Sequence, residues 1–151
     1  MKRNIPFLVM ILALAGFFYV RGRTETAAVP PIFAEGLTFA QAAERSAETS
    51  RAVLAMATAD WCGPCQAMKK GALRDPRVER WVRDHALAVY IDVDANKDQA
   101  ATLRVTSLPT LVMFRGGREV GRFSGLVGAD DLLAWFELTG HATGDPATGG
   151  V

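Results

Sequence analysis

The chain opens on an unbroken apolar stretch. No residue from Ile5 to Val20 carries a charge; Met1-Lys2-Arg3 makes a basic start, and Arg21 and Arg23 close the run. Beyond it the pattern becomes amphipathic. Thr38 with Gln41 three residues later fits a capping box and predicts a helix over Phe39 to Glu48. Ala52 to Ala57 is a short apolar run ending in a loop, the pattern of a buried strand. A helix beginning at Cys62 continues through Met68 and Leu73. Asp75-Pro76 restarts it, the carboxylate as N-cap and the proline at the first helical position, with Val78, Trp81 and Val82 on the apolar face. Leu87 to Val93 is nearly all apolar, which suits a central strand, and Asn96 to Leu103 reads as a short helix. Thr110 to Phe114 and Glu119 to Phe123 flank Gly116-Gly117 as a hairpin. Asp130 to Leu138 closes as an amphipathic helix offering Leu132, Leu133, Trp135 and Phe136 to the core, and Gly140 fits its C-terminal cap. No leading strand is assigned at Ile32. Alternating units followed by a hairpin predict an α/β fold, a central mixed sheet flanked by helices and preceded by one hydrophobic segment.

The expected organisation is an anchor or signal segment over 1–23, a polar, proline-containing linker over 24–31, one domain over 32–139 and a disordered tail over 140–151. The 16 apolar residues from Ile5 to Val20 fall between a spanning helix of about 17–25 residues and a signal core of about 7–15. Phe17, Phe18 and Tyr19 suit an interface, and Arg21 can snorkel. No small-x-small cleavage site follows directly; the nearest candidates lie around Thr26 to Ala28. The segment therefore reads as an uncleaved anchor, with a cleaved signal or a buried soluble helix as alternatives. Lys2, Arg3 and the terminal amine favour a cytoplasmic N-terminus by a thin margin. The expected location is the membrane, with the domain on the periplasmic or extracytoplasmic side; secretion after cleavage is the alternative. With 17 basic against 16 acidic residues, the chain has no electrostatic footprint for nucleic acid.

Both cysteines lie in Trp61-Cys62-Gly63-Pro64-Cys65. A secreted disulfide scaffold needs several spread pairs, and a structural zinc site usually needs four ligands, whereas the histidines are only His85 and His141. Two thiols this close read as a redox dithiol, against buried core cysteines that would have little use for Gly63-Pro64 between them. Cys62 falls between a strand end and a helix start. Unpaired N–H groups and the helix dipole favour an anion there, lowering its pKa below the ordinary thiol value of about 8.5. Cys62 is thus the candidate nucleophile. Cys65, one turn further on the same face, can attack a mixed disulfide and release reduced substrate. Pro109, in Ser107-Leu108-Pro109-Thr110, opens an apolar strand, where either a cis bond or an edge-strand trans proline accounts for it.

These pieces, with the Val93-Asp94 strand end, the Gly116-Gly117 hairpin and Gly125, resemble the thioredoxin superfamily from about Thr38 to Leu138. The resemblance implies a thioredoxin fold, a cis Pro109 beside the nucleophile, and a Leu108 backbone that receives extended substrate, with Trp61, Gly63 and Pro64 completing the binding surface. Ala59-Asp60-Trp61-Cys62 and Asp75-Pro76-Arg77-Val78 are most similar to the periplasmic C-terminal domain of the bacterial thiol–disulfide interchange transporter. That transporter has many spans and this chain at most one. Two positions depart from the family. Met56 stands where a buried aspartate usually helps deprotonate the second thiol, and Tyr90 where cytosolic thioredoxins carry a lysine. The usual proton acceptor for Cys65 is therefore missing, with Asp60 and Asp92 as nearby carboxylates.

The implied activity is a protein-disulfide oxidoreductase that reduces substrates through Cys62 and Cys65. It needs no cofactor and no metal ligand set, and its partners are disulfide-containing proteins and an upstream membrane or soluble thiol donor. A disulfide oxidase or isomerase, a Cu(I)-binding dithiol module and a redox-inert adaptor are the competing readings. The remaining candidates have structural readings. His85 belongs in a loop after a helix, exposed or capping, and His141 is given no function. Met56, Met68 and Met113 belong in the core. Asp92 and Asp94 make a turn or cap, and Arg77, Arg80 and Arg83 a solvated face.

Overall fold

Residues 5–21 and 26–140 are described by a computed structural model of the chain. The helices are α1 (Ile5–Arg21), α2 (Phe39–Thr49), α3 (Gly63–Lys70), α4 (Pro76–His85), α5 (Lys97–Thr102) and α6 (Ala129–Gly140), and the strands β1 (Ala52–Thr58), β2 (Ala86–Asp92), β3 (Thr110–Arg115) and β4 (Arg118–Ser124). The sheet order is β2-β1-β3-β4, with β1 parallel to β2 and antiparallel to β3. This is a thioredoxin fold, a four-stranded mixed sheet flanked by helices.

Every residue of β1 is buried, because apolar layers cover both faces of the strand. Leu54 and Met56 point into a core with Met68, Leu73, Val78, Trp81, Leu132 and Phe136, which places α3, α4 and α6 on that side. Val53 and Ala55 alternate to the other face and meet Leu37, Ala42 and Leu103. The period-2 alternation of a strand thus sorts one apolar run into two cores. Met56, Met68 and Met113 are all fully buried there.

The local signals explain most element boundaries. The Thr38 hydroxyl accepts the Gln41 amide hydrogen while the Gln41 side chain accepts that of Thr38, closing the capping box. The Asp75 carboxylate accepts from the Arg77 backbone amide at 2.8 Å and starts α4. Gly116 (φ 55°) and Gly117 (φ 75°) supply the two positive φ angles of a two-residue hairpin between Arg115 and Arg118.

Four local readings are corrected. α3 stops at Lys70, and Ala72–Arg74 forms a separate 3-10 turn. The Gly71 amide is shared between the Ala67 and Met68 carbonyls, which tightens the end of α3 and redirects the chain toward α4. His85 is exposed as expected, but it is the last residue of α4 and not a loop residue, stacked on Trp81 with centroids 4.8 Å apart and with Nδ1 2.9 Å from the Trp81 carbonyl one turn back. Gly140 lies inside α6, not beyond it. A Cβ there would stand 2.4 Å from the Trp81 ring, so the glycine answers a close approach. Part of the expected linker lies on the domain: the Ala27 amide donates to Gln66 Oε1 at 2.7 Å, Arg74 donates to the Ala28 carbonyl, and Pro31–Phe33 forms a 3-10 turn whose Phe33 ring meets Tyr90 edge-on. That turn covers the edge strand β2, where no further strand pairs.

α1 is 17 residues long, and Phe7, Val9, Met10, Ile11, Leu12, Leu14 and Phe17 on it are exposed. Among the described residues no helix is long and apolar enough to cross a membrane. The expected tail beyond Gly140, including His141, lies outside the described residues, as do residues 22–25, which hold the start of the linker.

Candidate active site

β1 delivers the chain to the end of the sheet, and α3 begins at once. Cys62 is the N-cap of α3, and its sulfur accepts the Cys65 backbone amide at 3.2 Å. A sulfur that takes over an orphan N–H of the first helical turn is where a thiolate would be held. Pro64 sits in that first turn, where its missing N–H breaks no hydrogen bond. Cys62 and Cys65 are joined by a disulfide, their Cα atoms 5.2 Å apart.

The two sulfurs face different surroundings. Cys62 lies at the floor of a groove of about 410 Å³ lined by Trp61, Gly63, Pro64, Val93, Val105, Ser107 and Leu108, among others. Trp61 stands out on its rim, 71% exposed, with its indole N–H donated to the Asp94 carboxylate at 2.8 Å. Both cysteines pack with Ala59, Val93 and Leu108, Cys62 keeping 4% exposure and Cys65 none. The Leu108–Pro109 peptide is cis. Pro109 is buried, and its carbonyl accepts the Gly125 amide. The residues singled out in the sequence therefore converge. Trp61, Cys62, Gly63, Pro64 and Leu108 share the groove, Cys65 is buried behind Cys62, and Pro109 is buried next to Leu108 in the chain.

The two carboxylates near the dithiol have other engagements. Asp92 Oδ1 accepts the amides of Asp94 and Ala95, capping the turn after β2. Asp60 is a mostly exposed side chain 3.7 Å from the Lys69 ammonium. Met56 pairs with Tyr90 in the β1–β2 register. Two buried polar groups on this side escaped sequence reasoning. Thr58 follows Met56 on the same face of β1, is fully buried, and its hydroxyl has no hydrogen-bond partner. Lys69 is fully buried at the end of α3, its Nζ donating to the Tyr90 hydroxyl at 3.1 Å. The signal for Lys69 was its spacing: it lies four residues from Cys65 and four from Leu73, on the buried side of the helix. Among the described residues no group of three or more His, Cys, Asp or Glu side chains is placed to hold a metal ion.

Away from the dithiol, Arg77 spans from Asp75 to Asp130 and belongs to the exposed face with Arg80 and Arg83. The Asp75 carboxyl is held down at about 2, chiefly by the Arg77 side-chain hydrogen bond and then by the Arg77 amide.

The family model described as Thioredoxin-like domain matches residues 39–140. The chain belongs to the thioredoxin-like family of disulfide oxidoreductases. It is 38% identical over 100 residues to a thioredoxin-like protein of Synechocystis sp., covering 66% of this chain and 92% of that one. It is 34% identical over 77 residues to a thioredoxin of Chlamydia trachomatis, covering 50% of this chain and 70% of that one. Against the bifunctional thioredoxin reductase/thioredoxin of Mycobacterium leprae, 35% identical over 85 residues, it spans only 18% of the relative's length. Among solved structures, a thioredoxin from Thermus thermophilus superposes with a TM-score of 0.64 at 25% identity, covering 74% of this chain and 93% of that one. The fold is also that of a DsbH oxidoreductase, with a TM-score of 0.62 at 21% identity, covering 80% of this chain and 91% of that one.

Proposed function

We propose that this protein is a membrane-tethered thiol–disulfide oxidoreductase that reduces protein disulfides outside the cytoplasm. The observation that carries the chemistry is the placement of the two sulfurs: Cys62 at the floor of the groove and on a helix N-cap, Cys65 sealed behind it. In the reduced protein the Cys62 thiolate attacks one sulfur of a substrate disulfide. A Cys62–substrate bond forms, and the other substrate sulfur leaves as a thiolate that takes a proton. Cys65, on losing its proton, attacks the Cys62 sulfur. The Cys62–Cys65 bond forms, the Cys62–substrate bond breaks, and the second substrate sulfur leaves. Two electrons pass from dithiol to substrate, and a thiol donor must return them. Trp61, Gly63, Pro64 and Leu108 offer the apolar surface on which an extended segment rests, with Pro109 next to Leu108 in the chain.

The tether is supported by α1. Its described side chains are exposed and apolar, and a helix apolar all round finds no stable place in water. Its 17 residues reach about 25 Å at 1.5 Å per residue, just short of the about 30 Å hydrocarbon core. A fusion joined after Ala34 to a reporter that works only outside the cytoplasm tests the location. Activity, with the protein retained in the membrane fraction after a carbonate wash, is the expected result. An inactive fusion would overturn the location, and soluble mature protein would remove the tether.

A further inference from the structure

We propose that Lys69 is a positioning residue for the Cys62–Cys65 couple, its buried ammonium stabilising the thiolate form of the dithiol and raising the couple's reduction potential. The inference rests on the dithiol reading above and adds a group that sets its poise.

A lysine with no exposed surface is rare, because taking an ammonium out of water is costly unless it is well partnered. Lys69 has 0% exposure, and its partners are few. Its Nζ donates to the neutral Tyr90 hydroxyl at 3.1 Å and lies 5.7 Å from the centre of that ring. Asp60 is 3.7 Å away, beyond hydrogen-bond distance, and its carboxylate is 65% exposed, so water screens much of its charge. Arg74, from the turn after α3, donates to the backbone carbonyl of Lys69 at 3.1 Å and so does not partner its ammonium. The β1 side chains on this face, Met56 and Thr58, are uncharged. The groups at the Lys69 ammonium are thus the neutral Tyr90 hydroxyl and the mostly exposed Asp60 carboxylate, so much of its charge is left uncompensated.

Cys65 and Lys69 are one helical turn apart, which places their Cβ atoms about 5–6 Å from each other. Long helical side chains lean toward the N-terminus of their helix, carrying Lys69 back over the turn of Cys65. Its contact with Asp60, two residues before Cys62, shows that it reaches the active-site end. A cation at that range favours the ionised thiol. Resolution requires Cys65 to lose its proton in an apolar enclosure, and the Lys69 charge lowers that cost where Met56 offers no acceptor. Because the thiolate belongs to the reduced protein, stabilising it makes the couple more oxidising. A carboxylate in the same place would do the reverse.

The test is a thiolate titration of the reduced full-length protein by ultraviolet absorbance, with the equilibrium against glutathione measured in parallel. Lys69→Gln is expected to raise the thiol pKa by about one unit. It is also expected to shift the glutathione equilibrium about tenfold toward the protein disulfide, about 30 mV for this couple. Lys69→Arg keeps the charge and should restore most of both shifts. Asp60→Asn, on an exposed side chain, should move the titration the other way. A folded Lys69→Gln protein with an unmoved titration and potential overturns the proposal. If Lys69→Gln does not fold, Lys69→Met, an apolar side chain of similar length, carries the test, and an unmoved titration in it overturns the proposal. Failure of the dithiol reading shows differently: disulfide exchange would survive Cys62→Ser, whereas failure of the Lys69 proposal leaves wild-type exchange intact.

Discussion

The two cysteines of this chain are three residues apart, joined to each other and packed in one apolar cluster, yet only one of them lines the groove. Cys62 sits at a helix N-cap with a backbone amide pointed at its sulfur and an open groove beside it. Cys65 has no exposed surface, apolar neighbours on one side and a buried lysine one turn away. The difference teaches how the proposed roles divide: the backbone dipole and the groove favour Cys62 as the sulfur that meets substrate, while enclosure suits Cys65 to an intramolecular step.

The strongest way to break that comparison is to remove each sulfur in turn. Cys62→Ser should lose disulfide reduction to background in an insulin assay, while Cys65→Ser should accumulate a mixed disulfide that survives non-reducing electrophoresis. Equal losses with no trapped species in either variant would erase the distinction. The core beneath α3 comes next. Met68→Ala removes a fully buried side chain of α3 and should cost about 2–5 kcal/mol of stability in denaturant unfolding, yet leave the thiolate titration of the folded protein in place. A titration that moved as far as in Lys69→Gln would mean that packing, not charge, sets it. Thr58→Val probes the same side of the sheet from β1. The Thr58 hydroxyl is buried without a partner, so its removal at nearly constant shape should be neutral or stabilising by up to about 1–3 kcal/mol. A clear destabilisation would show that the hydroxyl has a partner in solution.

The smallest effect is a remote control. The Asp75 carboxyl titrates at about 2 in the fold against 3.8 as a free group. Its lowered pKa stabilises the protein above the free value, and that contribution is lost as pH falls from about 4 toward 2. Asp75→Asn should keep α4 started but flatten this part of the acid limb in thermal melts, leaving the dithiol titration unmoved.

Much of this was legible in the sequence because the signals were local. The capping box at Thr38, the Asp75-Pro76 restart, the glycine pair of the hairpin and the apolar run of β1 each depend on a few adjacent residues. The readings that changed depended on partners far along the chain. Gly140 looked like a helix cap, but the Trp81 ring fills the space a Cβ would need. His85 looked like a loop residue, but stacking on Trp81 keeps it in α4. Lys69 drew no reading from the sequence, and only the packing of α3 against Tyr90 and Asp60 shows that its charge is buried.

The division of labour between the two sulfurs is tested most directly by following iodoacetamide modification of the fully reduced protein, cysteine by cysteine, with peptide mass spectrometry slightly below neutral pH. Nucleophilicity there requires both a thiolate and an open path. The account predicts that Cys62 is modified well ahead of Cys65, and that the gap narrows as pH rises through the second thiol's ionisation. Cys65 reacting first, or both at one rate throughout, would contradict it.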